Sequence, residues 1–289
     1  MAGTFSFVNL LWALLFVAIV VILSLWKDYR IIRENVTAVI KMLVQLFAMG
    51  FVMVGVVYLE QNVSDTLSMS LVWCIIGVML LNAVITTSGR GKGVPHIYAI
   101  TFVGISAGSF IVLGVLFLSG IAQYTAVGLI PFVGSIIGNA LTKNSQGLER
   151  LTAEFKTRVL EMETILSLGG TIQKATTNAV RKTIQSIFIP INDSMRNAGF
   201  FLPGAAVGLI ITGTPPLEAM IFQSVMFLAW CGGAILTSTI VSSLVVGQLV
   251  TKNHQLKYDV IHALSTPDRE KEHKSNHNHN SVNKGNAYT

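Results

Sequence analysis

The feature that most constrains this chain is the way its charges are segregated. Only 12% of the residues are charged and 52% are hydrophobic, with a mean hydropathy of +0.64. That is about half the charge of an ordinary soluble domain, too little to cover a globular surface of this size. The charges cluster and leave long apolar runs between them. A run of about 20 apolar residues crosses a bilayer as a helix, because a helix satisfies its own backbone where no water is available. Seven spans are predicted: 7–26, 36–59, 67–87, 97–118, 124–141, 197–212 and 217–250. The sixth is short and interrupted. The seventh exceeds a bilayer and must tilt, break or protrude. The fold class is therefore all-α integral membrane, and the location a multi-pass cell membrane.

Lysine and arginine set the orientation, since positive charge is retained in cytoplasmic loops. Lys27, Arg30 and Arg33 follow span one, and Arg90 and Lys92 follow span three. Lys143, Arg150, Lys156, Arg158, Lys174, Arg181 and Lys182 follow span five, and Lys252 and Lys257 follow span seven. The alternate loops, 60–66, 119–123 and 213–216, hold no Lys or Arg. The N-terminus is expected outside and the C-terminus in the cytoplasm. Lys41 then snorkels to the cytoplasmic interface. The first span lacks the basic leading region of a signal peptide. Cys74 and Cys231 lie in apolar spans and read as packing residues. The net charge of +6 follows from membrane topology and calls for no nucleic-acid partner.

Residues 142–190 form a polar segment between spans five and six. Within it Leu148, Leu151, Phe155, Val159, Met162 and Leu166 recur at helical spacing and define one apolar face. Gly169 and Gly170 end that helix, and Thr171 caps a second one running toward Pro190. A cytoplasmic helical hairpin is predicted. Its apolar face fits either lipid headgroups or a partner protein. The tail, 254–289, is polar and reads as a disordered extension in which His273, His277 and His279 sit in low-complexity sequence. The transmembrane domain is thus 1–253.

Glu163, Leu166, Gly169 and Ile187-Phe188-Ile189-Pro190 resemble the coupling loop of ABC importer permeases, although Gly169 to Pro190 is about two helical turns longer than that family's spacing. A fuller resemblance covers nearly the whole chain. It is carried by Gln45-Leu46, Gly50, Asn82-Ala83, Pro131, Gly134, Gly138-Asn139-Ala140 and Glu163. It continues through Leu166-Ser167-Leu168-Gly169, Ile189-Pro190 and Asn192-Asp193-Ser194. The run Gly199, Leu202-Pro203-Gly204, Gly208-Leu209-Ile210, Gly213, Pro216, Ala219 and Gln223 completes it. These residues resemble the FetB family, permease subunits ascribed to iron export by ABC transporters, with plant relatives linked to aluminium tolerance. The chain departs from that family at Ser135, Leu141, Ala205 and Ala206, where relatives carry methionine. Thioether sulfur suits soft metals; alternatively those methionines only pack.

The resemblance implies coupling to an ATPase through Glu163, Leu166, Gly169 and Pro190. This chain has no phosphate-binding G-x-x-x-x-G-K-[ST] loop. ATP and Mg would therefore sit in a separate ABC ATPase, the chain itself would carry no cofactor and no catalytic residue, and two permeases would assemble with two ATPases. Pathway or hinge candidates are Gln45, Asn139, Asn192, Asp193, Pro203, Gly204, Glu218 and Gln223. Polar groups at membrane depth are costly and tend to serve a purpose, although an amide there also serves as an interhelical hydrogen bonder. Pro203 and Gly204 interrupt a span, which is tolerated where protein or a watery cavity meets the backbone. Gly104 with Gly108 and Gly134 with Gly138 are small-residue pairs that let helices approach. A stand-alone transporter or channel, or a seven-helix receptor or scaffold, are the competing readings.

Overall fold

A computed structural model describes residues 7–27, 32–62, 65–122, 124–201, 203–251 and 255–264. Arg30, Leu202, Lys252 and the histidines of the tail lie outside the described residues. The described chain is helical, with no strand beyond one isolated bridge, Val250 to Leu256. It divides into two compact units, Met1–Ser68 and Met69–Thr289.

The first unit holds α1 (Phe7–Lys27), α2 (Ile32–Asn62) and the first residues of α3 (Asp65–Ser88). The second holds the rest of α3, a 3-10 turn at Gly89–Gly91, α4 (Ile97–Leu118), α5 (Ala126–Thr157) and α6 (Val159–Ser167). It continues with α7 (Ile172–Asn197), α8 (Gly204–Ile211), α9 (Pro216–Leu249) and α10 (Tyr258–Leu264). Among the described residues, four stretches are long and apolar enough to cross a bilayer: Asn35–Asn62, Thr66–Gly91, Ile97–Leu118 and Pro216–Leu249. Trp12–Lys27 is a shorter apolar helix. Many large apolar side chains on these helices, such as Phe51, Val54, Ile111 and Val115, point outward. In water that exposure would be unfavourable over so large an area; in lipid it is the expected arrangement.

Three expected boundaries are corrected. Span five was expected to end at 141, yet α5 continues to Thr157. No proline interrupts it there, and the Leu148-Leu151-Phe155 stripe keeps its apolar face going. The stripe does not extend as one helix to Leu166, because the chain breaks at Arg158 (φ −110°, ψ 16°) before α6 begins. The short sixth span at 197–212 is not a single element. Instead α7 runs through Pro190 to Asn197, a bend follows, and α8 is only eight residues long, about 12 Å of rise. Proline costs one backbone hydrogen bond inside a helix. Here Ile187 and Ile191, on either side of Pro190, bury against Ala234 and hold the helix together.

The 34-residue α9 is unbroken. At about 1.5 Å per residue it is near 51 Å long, well beyond a hydrocarbon core of roughly 30 Å. Its last turns, Val241, Val245 and Leu249, enter a core built from the polar hairpin: Leu148, Leu151 and Phe155 of α5, Met162 of α6, and Ala175 and Ala179 of α7. The apolar face of the hairpin is therefore covered by its own chain. The start of the expected tail joins the same core through Leu256 and Ile261.

The hairpin turn follows the expected chemistry. Gly169 has φ +79°, its N–H donates to Leu166 O at 3.0 Å, and Gly170 N–H donates to Ile165 O at 2.8 Å. These two bonds satisfy the last carbonyls of α6 and need a left-handed residue between them, which glycine supplies without steric cost. Thr171 accepts a hydrogen bond from Lys174 N–H and caps α7.

Candidate functional site

Two regions gather the functional candidates. The first is the seam where α4, α5 and α9 meet. Gly104 and Gly108 of α4 face Val241 and Thr237 of α9 so closely that a Cβ on Gly108 would lie 2.9 Å from the Thr237 backbone nitrogen. This pair is a packing device, as the small-residue spacing allowed. Across α5 and α9, Asn139 Nδ2 donates to Trp230 O at 2.9 Å, and Asn144 Nδ2 donates to Thr237 Oγ1 at 2.8 Å. Phe132 and Phe222 meet edge to face at 5.6 Å between centroids. Gln223, Trp230 and Thr237 recur every seven residues, so they share one face of α9.

Asn144 and Thr237 escaped the sequence reading. Asn144 stood beside Thr142 and Lys143 and was assigned to a polar loop. Five residues along a helix turn it about 140° from Asn139, so same-face periodicity gave no signal for it. Removing its amide would leave the Thr237 hydroxyl with less compensation in a buried site, at a cost of about 1–3 kcal/mol. Asn144→Leu should therefore lower the thermal midpoint of the detergent-solubilised protein, whereas Thr142→Leu at an exposed position should leave it nearly unchanged.

Gln45, Asp193, Gly204 and Glu218 are exposed, and Asn192 and Pro203 are half-buried. Met195, just beyond Asp193, packs beside Cys231 and Ala234. Cys231 is 13 residues along α9 from Glu218, about 20 Å of helix. Asp193 and Glu218 thus stand at different levels of α9. Among the described residues no three of His, Cys, Asp and Glu are placed to hold a metal ion. Gln223 differs from the others: it is 4% exposed, and its side-chain oxygen has no hydrogen-bond partner among the described residues. A buried acceptor left unmatched is costly and is available to a donor that enters the seam.

The second region is the hairpin tip. Glu163 and Leu166 line a groove of about 760 Å³, together with Leu160, Thr164 and Ser167 of α6 and Gln255, Leu256 and Tyr258 after α9. Leu160 is 78% exposed and Leu168 is 82% exposed. Gly169 adjoins this group. Pro190 does not, since α7 carries it about 28 Å along the helix axis from Thr171.

The tip is held at a fixed angle by ion pairs across the Arg158 break. Glu154, only 6% exposed, accepts from Arg158 Nε at 2.7 Å and pairs with Arg150 Nη2 at 2.6 Å. Arg158 Nη1 also donates to Glu161 Oε2 at 2.6 Å, and Asn178 Nδ2 of α7 donates to Glu161 Oε1 at 2.8 Å. This chain of contacts joins α5, α6 and α7. The Arg158 hydrogen bond, helped by Arg150 and Lys182, holds the Glu154 carboxyl below the usual carboxylate range. The Asn178 and Arg158 hydrogen bonds do the same for Glu161.

These features define a multi-pass α-helical membrane protein with a braced polar hairpin projecting from its helical bundle. The chain belongs to the family described as "Uncharacterised protein family (UPF0014)", which it matches over residues 7–250. It is 29% identical to "Protein ALUMINUM SENSITIVE 3" of Arabidopsis thaliana, over 86% of this chain and 89% of that one. It is 27% identical to the "Probable iron export permease protein FetB" of Escherichia coli K12, over 84% of this chain and 92% of that one. It is 29% identical to the "UPF0014 membrane protein YjkA" of Bacillus subtilis, over 87% and 98%. No solved structure matches it. The membership bears out the resemblance drawn from the scattered motifs, and it makes the chain a relative of a probable membrane permease.

Proposed function

We propose that this chain is the membrane-spanning permease subunit of an ABC transporter that exports metal ions, with iron the foremost candidate. A separate ATPase would bind ATP and Mg, and two permeases would complete one pathway. The observation that carries this reading is the hairpin tip. It presents Leu160 and Leu168, both largely exposed, and the half-buried Glu163 at a braced position, while Leu166 is half-buried and packs against the stripe that holds the hairpin together. A fixed lever of this kind suits the transmission of force from a soluble partner. A channel or receptor gives it no task. The alternating Lys and Arg content of the loops supports seven spans, an outside N-terminus and a cytoplasmic hairpin. Iron comes from the name of the Escherichia coli relative, and the pathway is assigned to the α5–α9 seam around Asn139 and Gln223, with Pro203 and Gly204 as a hinge.

The test has two parts. In cells lacking the gene, total metal content is measured by elemental mass spectrometry after exposure to a metal panel. A selective rise in iron, reversed by the intact gene, is expected; no change in any metal removes iron and the other metals from the reading. In parallel, Glu163→Ala is expected to reduce recovery of an ATPase bearing a phosphate-binding loop about tenfold, corresponding to roughly 1.4 kcal/mol. Equal recovery and equal transport by the variant would remove the coupling role.

A further inference from the structure

The coupling groove has a second wall that motif reading does not mark. After α9 the chain turns back on itself. Thr251 N–H donates to Gln255 O at 2.8 Å, and Lys257 N–H donates to Leu249 O at 2.9 Å. Gln255 N–H also donates to Thr251 Oγ1 at 3.2 Å. This short bridged turn sets Leu256 into the hairpin core and leaves Gln255 and Tyr258 exposed beside α6.

We infer that Gln255 and Tyr258 form, with Leu160 and Glu163, a two-element docking surface for the ATPase. The partner's contact is an apolar side chain flanked by a lysine or arginine. This rests on the permease reading above and extends it to residues outside the hairpin.

Three observations argue for that occupant. The groove is large enough for an inserted side chain, since pockets of roughly 300–1,000 Å³ take ligands of comparable size. Its rim offers apolar and aromatic surface in Leu160 and Tyr258, with Leu168 close in sequence, and tyrosine is enriched among residues that dominate interface energy. Its charge is one-sided. Glu163 lines it and has no ion-pair partner among the described residues, and no Lys or Arg is among the described residues that line it. Asp259, exposed in the first turn of α10, adds a second carboxylate nearby in sequence, and Lys257 between Leu256 and Tyr258 is half-buried. A carboxylate without neighbouring cations in the lining attracts a basic protein side chain and repels an anionic lipid headgroup. The fold-back also gives the ATPase a contact attached directly to α9, so a push on the groove reaches both the hairpin and the seam helix.

The experiment is site-directed cross-linking of the full chain in native membranes. Cys74 and Cys231 are replaced by alanine, and single cysteines are placed at Leu160, Gln255 or, as a control on the far face of α7, Thr177. A maleimide–diazirine reagent is attached to the cysteine and activated by light, so that it inserts into whichever side chain lies beside it, and products are identified by mass spectrometry. Leu160→Cys and Gln255→Cys are expected to trap the same phosphate-loop ATPase, with Thr177→Cys trapping at least tenfold less. Trapping from position 160 but not 255 overturns the second wall and leaves the permease reading standing. Trapping of another copy of this chain from 255 also overturns it. Absence of any ATPase from both positions overturns the permease reading and the inference together. In the intact background, Tyr258→Ala is expected to reduce ATPase recovery about tenfold; recovery equal to that of the unmodified protein overturns the inference.

Discussion

Gly108→Val should prevent α4 and α9 from closing and should lose most of the correctly folded protein. A Cβ at Gly108 would lie 2.4 Å from Thr237 Cγ2 and 3.0 Å from the Thr237 Cα. The side-chain clash could be relieved by a rotamer change, but the backbone clash can be relieved only by moving a helix. Overpacking of a well-fitted core costs about 1–3 kcal/mol, and a helix displacement belongs at the upper end or beyond. The damage would spread, because the same turn of α9 offers Thr237 Oγ1 to Asn144, and that bond depends on α9 keeping its place. Gly114 in the same helix supplies the control, since a Cβ there meets nothing within 4 Å. Thermal unfolding and monodispersity of the purified variants would be compared. Gly108→Val behaving like Gly114→Val would show that the α4–α9 approach is looser than described.

Glu154→Ala should release the hairpin without dismantling the bundle. The carboxylate is buried and takes hydrogen bonds from Arg158 and a close pair with Arg150. Hydrogen bonds to charged groups are worth about 1.5–3 kcal/mol. Both arginines retain access to water, Arg158 the less, so the loss is placed near 2 kcal/mol, below that of a fully buried pair. Hydrogen exchange in α6 and the first half of α7 should accelerate about 30-fold, while exchange in α4 stays as it was. Glu149→Ala removes an exposed carboxylate 3.7 Å from Arg90 and should change little. The pH dependence has a definite sign. Glu154 is held below its ordinary value in the folded state, so its contribution is complete above an unfolded-state pKa of about 4.3. It is lost as pH falls through the lower folded-state value. The hairpin should thus loosen under acid below about pH 4, and that acid sensitivity should shrink in Glu154→Ala, the remainder being carried by Glu161, which is held low in the same way. A variant with wild-type exchange would show that the Arg158 break needs no brace.

Much of the site could be read before any fold was known. The Gly169-Gly170 turn, the Thr171 cap and the packing role of Gly104 and Gly108 follow from local rules that the structure obeys. Asn139 bonds across helices as an amide in an apolar span is apt to do. Other features could not be read. Asn144 looked like loop because its neighbours are polar, and only the packing of α5 against α9 makes it a buried donor. Gly147 lacked any local signal; a Cβ there would lie 2.8 Å from Ile187 Cδ1, so α7 packs closely on α5 at this point.

By itself the sequence determined the membrane class, the long apolar stretches of α2, α3, α4 and α9, the family and the glycine turn at the hairpin tip. Each of these depends on interactions within about one helical turn, or on the total apolar length, and both are local quantities. Only the tertiary structure decided what covers the hairpin's apolar face, why Pro190 does not end α7, and how residues 255–258 come to lie beside Glu163. Helical periodicity shows which residues share a face; which element packs on that face depends on the whole chain closing at once. The stripe from Leu148 to Met162 could equally have met lipid or a partner. It met α9, whose last turns carry Val241, Val245 and Leu249 onto the stripe.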